Sequence, residues 1–258
     1  MSLNRLWQGE IARNPTGYDE LTILHDAVVE RQAILDEIAA GSNVDPHRRA
    51  REQDLLRLIR QRTDVLAVPA FVRVEQPGPH RVILHVPMYT DIADASFLQT
   101  FRAAVENAWR VQDAADEFRV ALDIRHVPAG QLYPGGRAPA RGEHIDVAKH
   151  IARFPADGAV VTTGANTTHV LGRSINIGPH DIAPNTLAHE FGHILGFVDG
   201  YFRGYRDLGP DGFEVVEVIT DPLDIMSAPG VGQVSRRHFE RVRDARPSGG
   251  EAGERPGS

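Results

Sequence analysis

The sequence predicts an α+β fold in which a helical hairpin precedes a mixed domain of strands and helices. Three observations lead there. Apolar residues recur at three-and-four spacing through residues 18–66, as on one face of a helix. From about residue 68, short alternating runs are interleaved with helical patterns. A compact apolar helix then carries two histidines and a glutamate within HEFGH, residues 189–193. The expected division is an N-terminal helical extension over 1–67, a main domain over 68–245 and a disordered tail over 246–258.

In the extension, Leu21, Leu24, Val28, Leu35 and Ile38 form the repeating apolar face. Gly41 suits the end of the first helix, and Asp45-Pro46 is a start signal for the second. The second helix contains HRRAREQDLLRLIRQR, whose acidic residues and helical pattern make it a solvated face. No catalytic motif lies in this part. It reads equally as a segment covering a cleft or as a packing extension.

In the main domain, AFVRV and HRVILHV are strand-like. SFLQTFRAAVENAW reads as an amphipathic helix opened by Ser96, with Phe97, Phe101, Ala104, Val105 and Ala108 on its apolar side. EFRVALDIRHV alternates, placing Phe118, Val120, Leu122 and Ile124 on one face of a half-buried strand. After the loop GQLYPGGRAPARG come a short helix around IDVAKHIARF and strands in GAVVTT and HVLGRSINI. The helix that follows starts at Asn185 as N-cap, with Leu187, Ala188, Phe191, Ile194 and Leu195 apolar. A last amphipathic helix around VSRRHFERVRDA closes the domain.

Composition sets bounds. The 258 residues are 41% hydrophobic, enough for a substantial core, and the formal net charge of -7 offers no basic footprint for nucleic acid. With no cysteine, disulfides and thiolate metal ligands are excluded. No stretch is long and apolar enough to span a bilayer. The first twenty residues lack the apolar run of a signal peptide, so the chain as written is expected in the cytoplasm.

The chemistry is concentrated in HEFGHILGFVD, residues 189–199. Side chains four apart share a helix face, so His189 and His193 can turn ring nitrogens toward one point while Glu190 leans toward the same cleft without being a ligand. Gly196, three residues on, can take the left-handed conformation that ends a helix. The returning chain would bring Asp199 in as a third ligand and leave a fourth position open, the pattern of catalytic zinc.

This string resembles the extended zinc signature of the metzincin metallopeptidases, HExxHxxGxxH, in the snapalysin-like variant with aspartate last. DPLDIMSAPG, residues 221–230, supplies Met226 in the position of the family's Met-turn. The resemblance implies a metzincin-like catalytic domain: a mixed twisted sheet, an active-site helix, the Met-turn and a C-terminal helix. It implies a zinc endopeptidase with one catalytic Zn2+ on His189, His193 and Asp199, Glu190 as general base, and a protein or peptide as substrate. It makes HVLGRSINIGP the edge strand beside the cleft, against the alternative of an interior strand with a glycine bulge at Gly172. Most relatives of this kind are exported, so the resemblance pulls against the cytoplasmic expectation and leaves a secreted or delivered effector peptidase open beside it.

Several metzincins carry a tyrosine two residues after the turn methionine, where this chain has Ala228. Tyr201 and Tyr205 could substitute or could simply pack. His169 and His180 lie near the cleft in this reading, whereas His25, His47 and His238 suit surface or capping roles. Asp207, Asp211 and Glu214 are candidate Ca2+ ligands, although their spacing lacks the regular loop of a calcium hand. The rival to an enzyme is a metal-binding interaction module of the same fold, against which the intact Glu190 argues.

Overall fold

The structure is a computed structural model that describes residues 15–41, 44–143, 145–207, 210 and 212–246. Its described residues form two compact units, one comprising those up to Val65 with Val198–Ala228, the other Leu66–Phe197 with those from Pro229 onward. The expected disordered tail, from residue 247, lies outside the described residues, as do Asp211 and the side chains of Asp207 and Glu214 proposed for calcium.

In the first unit, α1 (Pro15–Ala39) and α2 (Pro46–Thr63) pair through Ala27, Ile34, Val44, Leu55 and Ile59. Ile34 is the fully buried residue where the sequence pattern had favoured Leu35, which is only partly covered. Asp45 caps α2 as expected, accepting the His47 N–H at 2.8 Å, and Pro46 takes the first helical position. Glu52, only 6% exposed, is matched across the pair by Arg31 Nε at 2.8 Å. The pairs Arg48–Glu37 and Arg51–Glu30 are bidentate but exposed, so solvent screens them. Past Val198 the unit continues into an antiparallel hairpin, β8 (Tyr201–Asp207) and β9 (Phe213–Ile219), against which α1 packs. The sequence reading did not anticipate this hairpin.

The second unit is built on a seven-stranded mixed sheet of order β3-β4-β2-β5-β7-β6. Strands β2 (Arg81–Thr90), β4 (Asp116–His126), β5 (Ala159–Thr163) and β7 (Ser174–Ile177) run parallel. β1 (Arg73–Gly78) pairs antiparallel with the first part of β2, and β5 takes over that same edge from Met88 to Thr90. β3 (Arg110–Asp113) and β6 (His169–Leu171) are the antiparallel borders. β2, β5 and β7 are nearly continuous buried runs, as expected of strands covered on both faces, whereas β4 alternates with Phe118, Val120 and Leu122 inward. The HVLGRSINI segment is two strands, not one, turning at Gly172 with φ of +57°.

Helix α3 (Ala95–Ala108) buries Phe101, Ala104 and Val105, but its cap is Asp94 and not Ser96. The Asp94 carboxylate accepts the Phe97 N–H at 3.1 Å, leaving Ser96 inside the first turn. Short helices α4 (Ala129–Leu132) and α5 (Val147–Ile151) follow β4. Then come α6 (Pro184–Ile194), which lies against α3, and α7 (Arg236–Ala245). His238 does serve a capping role, but a buried one: Ser235 N–H donates to its Nδ1 at 3.1 Å in a capping box at the start of α7. The molecule is therefore α+β, and no helix among the described residues is long and apolar enough to cross a membrane.

A polar network is buried at the ends of β2 and β5. Thr162 donates to Asp91 Oδ1 at 2.7 Å and Tyr133 to Oδ2 at 2.5 Å. With the Thr162 proton so engaged, the 2.7 Å contact to His150 Nε2 makes that nitrogen the donor. Burial, reinforced by Arg153, holds His150 below the usual histidine range against the pull of Asp91, and burial with the Asp91 bond raises the Tyr133 phenol. A depressed histidine contributes stability that is present above its ordinary value of 6.5 and lost as pH falls through the folded value. The raised phenol contributes stability that is present below 10.0 and lost at higher pH. The unfolding free energy should thus decline from neutrality toward about pH 5, and the decline should be shallower in His150→Gln, as equilibrium denaturation at each pH would reveal.

Candidate metal centre

The helix that carries the histidines is fixed before the histidines are considered. Pro184 occupies its first position and Ala183 its N-cap, without a side-chain bond. Asn185, expected as the cap, instead donates from its amide to the carbonyls of Pro229 at 2.7 Å and Gly232 at 3.1 Å. It ties the start of α6 to a distant part of the same unit. Leu187, Ala188, Phe191 and Ile194 form the buried face.

Trp109, fully buried, packs its ring against Phe191 at 5.8 Å and Phe197 at 6.0 Å and donates its indole N–H to the Ala188 carbonyl at 2.9 Å. Ala188 immediately precedes the first histidine, so this bond fixes the depth and rotation of the ligand-bearing turn. Trp109→Phe keeps most of the packing and deletes the bond. It should cost about 1–3 kcal/mol in denaturant unfolding, because a buried indole contact is lost along with ring area.

His189 is 2% exposed, while His193 and Glu190 are partly exposed. The two imidazoles stand edge to face, 4.8 Å between centroids and 85° between planes. His193 Nδ1 lies 2.9 Å from the Phe197 carbonyl, which can only accept, so Nδ1 carries a proton and, in the neutral ring, the lone pair is on Nε2. A metal ligand needs that tautomer.

The chain leaves α6 through a Schellman turn. Gly196 N–H donates to His193 O at 3.0 Å and Phe197 N–H to Gly192 O at 3.2 Å, with Gly196 at φ of +97°. The turn returns the backbone three residues later to Asp199. One donor atom from each of His189, His193 and Asp199 lies within 4.8 Å of the other two. His169 and His180 are not in this group: His169 faces the Thr167 carbonyl at 2.9 Å, and His180 is exposed.

The residue after Asp199 is held by the turn containing Met226. Gly200 N–H donates to the Met226 carbonyl at 2.8 Å, and its own carbonyl accepts from Thr220 Oγ1 at 2.6 Å. Met226 is 4% exposed, and its N–H is taken by Asp224 Oδ1 at 2.7 Å. Asp224, a positioning residue for this turn, lies inside DPLDIMSAPG, where the family pattern marks Met226 and not the aspartate. Ala228 provides no hydroxyl. Tyr201 opens β8, and the side chain of Tyr205 lies outside the described residues.

Searches for related proteins bring nothing further. No family model, curated protein or solved structure matches this chain.

Proposed function

We propose that the chain is a zinc-dependent endopeptidase of the metzincin type, with one zinc ion on His189, His193 and Asp199 and Glu190 as general base. The observation that carries this reading is the approach of two imidazoles and a carboxylate to within 4.8 Å of one another. Two nitrogens and one carboxylate oxygen are the donor types zinc accepts at catalytic sites. Ligand bonds of about 2.0–2.1 Å at tetrahedral angles would set the donors about 3.4 Å apart, so small side-chain rotations complete the fit. The Nδ1-protonated tautomer of His193 suits the same role.

When bound, zinc supplies the Lewis acidity that makes water nucleophilic near neutral pH and polarises the scissile carbonyl. Glu190, adjacent to a ligand but not among the three, takes a proton from the attacking water and delivers it to the departing amine. An amide needs both transfers, because its nitrogen leaves only once protonated. Strand β6 supports an extended substrate: it borders the sheet, and among the described residues only β7 pairs with it. The buried Met226 turn, bonded to the residue after Asp199, supports the family resemblance in its second motif.

The test is cleavage of a diverse peptide mixture by zinc-loaded protein, read by mass spectrometry, with Glu190→Ala in parallel. Loss of cleavage by about 10²-fold or more, with one zinc retained, supports the assignment. Undiminished cleavage by the variant removes Glu190 from its role. Stoichiometric zinc with no cleavage by the wild type turns the reading toward an interaction module or a peptidase with one dedicated substrate.

A further inference from the structure

The four parallel strands deliver their carboxyl ends to one end of the sheet, the position at which open α/β sheets present crevices to ligands. Asp91 immediately follows β2, Thr162 is next to last in β5, and the chain leaving β4 forms α4 and reaches Tyr133. A cavity of about 300 Å³ lies beside this network, lined among others by Tyr133, Arg137, Glu143, Lys149, His150 and Arg153. That volume is at the lower end of small-molecule sites.

The charges in the lining are not equivalent. Arg137 is paired with Glu143 at 3.0 Å and Lys149 with Asp146 at 3.1 Å. Arg153 differs: its guanidinium lies 5.5 Å from the centre of the Tyr133 ring and donates to the Leu132 carbonyl at 2.9 Å, with no carboxylate partner among the described residues. It is an exposed cation anchored at the rim by a neutral carbonyl and an aromatic face. Beneath it, Asp91, Thr162 and His150 are each at least 96% buried, and every hydroxyl proton of the network is committed inward to Asp91. His150 Nε2–H is committed to Thr162, which leaves Nδ1, 3.1 Å from a Tyr133 oxygen whose proton points elsewhere, without a donor from that hydroxyl.

We propose that this crevice is a second ligand site, for a small molecule carrying a compact oxyanion, with Arg153 as its charge contact and Tyr133 and His150 as its floor. A bound anion would offset Arg153, one of the two influences that keep His150 neutral, while Asp91 continues to favour the proton. Nδ1 could then gain a proton and donate it to the Tyr133 oxygen. Anion and proton would enter together. The groups facing His150 that set this balance are Asp91 after β2, Thr162 on β5, Tyr133 after α4 and Arg153 after α5, with Asp146 and Lys149 flanking it on its own element.

The probes are inorganic phosphate and acetate, titrated separately into the full chain and read by NMR at the His150 ring, with glycerol as a neutral control. Reading at His150 separates this site from anions that meet the histidines of α6. Saturable shifts at millimolar concentration with one or both anions, toward the protonated imidazole and roughly tenfold weaker in Arg153→Gln, are expected for the loss of one charge-assisted contact. Which anion binds more tightly distinguishes a phosphate ligand from a carboxylate one. Arg153 is exposed, so its variant should fold, and Glu190→Ala should leave the titration unchanged. No shift with either anion, an equal shift with glycerol, or equal affinity in Arg153→Gln would overturn the proposal.

Discussion

His189→Ala is expected to lose bound zinc, whereas Glu190→Ala keeps it. His189 is 2% exposed and provides one of three converging donors, so its removal leaves His193 and Asp199, too few to hold the ion through dialysis. Loss of a group that merely orients a ligand weakens zinc binding about 10–100-fold. Loss of the ligand itself should exceed the upper end of that range. Metal analysis after dialysis should find about one equivalent in the wild type and in Glu190→Ala, and almost none in His189→Ala, with peptide cleavage absent from both variants. The pair of variants separates holding the metal from moving the proton. A full equivalent of zinc in His189→Ala would mean that the ion sits elsewhere, and the peptidase reading would go with it.

The approach of the three donors was readable in the sequence because each step toward it is local. Helical periodicity aligns residues 189 and 193, and a glycine three positions on supplies the left-handed turn that returns the chain to Asp199. The same locality made the α1–α2 hairpin and most strands of the sheet legible. Cap positions were less so. Asn185 has the chemistry of an N-cap, but its amide is used 44 and 47 residues away, on Pro229 and Gly232, and no local pattern reports such a bond. Asp94 displaced Ser96 as the cap of α3 because either side chain could serve a helix starting there, and only the backbone decides.

The buried network was illegible for the same reason in stronger form. Asp91 and Thr162 are 71 residues apart, and Tyr133 lies in a stretch that reads as loop. Nothing in spacing or composition joins them until parallel strands bring their ends together. The β8–β9 hairpin is not legible either, because EVVEVI lacks the period of two that marks a half-buried strand: its apolar residues come in pairs, Val215-Val216 and Val218-Ile219, each preceded by a glutamate.

Gly196→Ala is expected to be the most damaging single methyl in the molecule's second unit. A Cβ there would lie 2.2 Å from the Ala67 carbonyl oxygen and 2.5 Å from its carbon, both backbone atoms that cannot rotate away. Relief would break the Ala67 N–H bond to the Gly196 carbonyl, at 3.1 Å, or open the bridge between Leu66 and Phe197. Conformation adds to the clash, since φ of +97° is unfavourable for alanine. The left-handed backbone costs about 1–2 kcal/mol and the forced overlap about 1–3 kcal/mol more. Together these predict a fall in melting temperature of about 5–15 °C. Gly172→Ala is the control, because its φ is +57° but nothing lies within 4 Å of the added carbon. It should show only the smaller, conformational part. The difference between the two variants therefore measures the close approach of Ala67. If that approach also aims the chain toward Asp199, zinc affinity should fall in Gly196→Ala and stay level in Gly172→Ala. Equal melting temperatures for the two variants would show that the contact with Ala67 yields without cost.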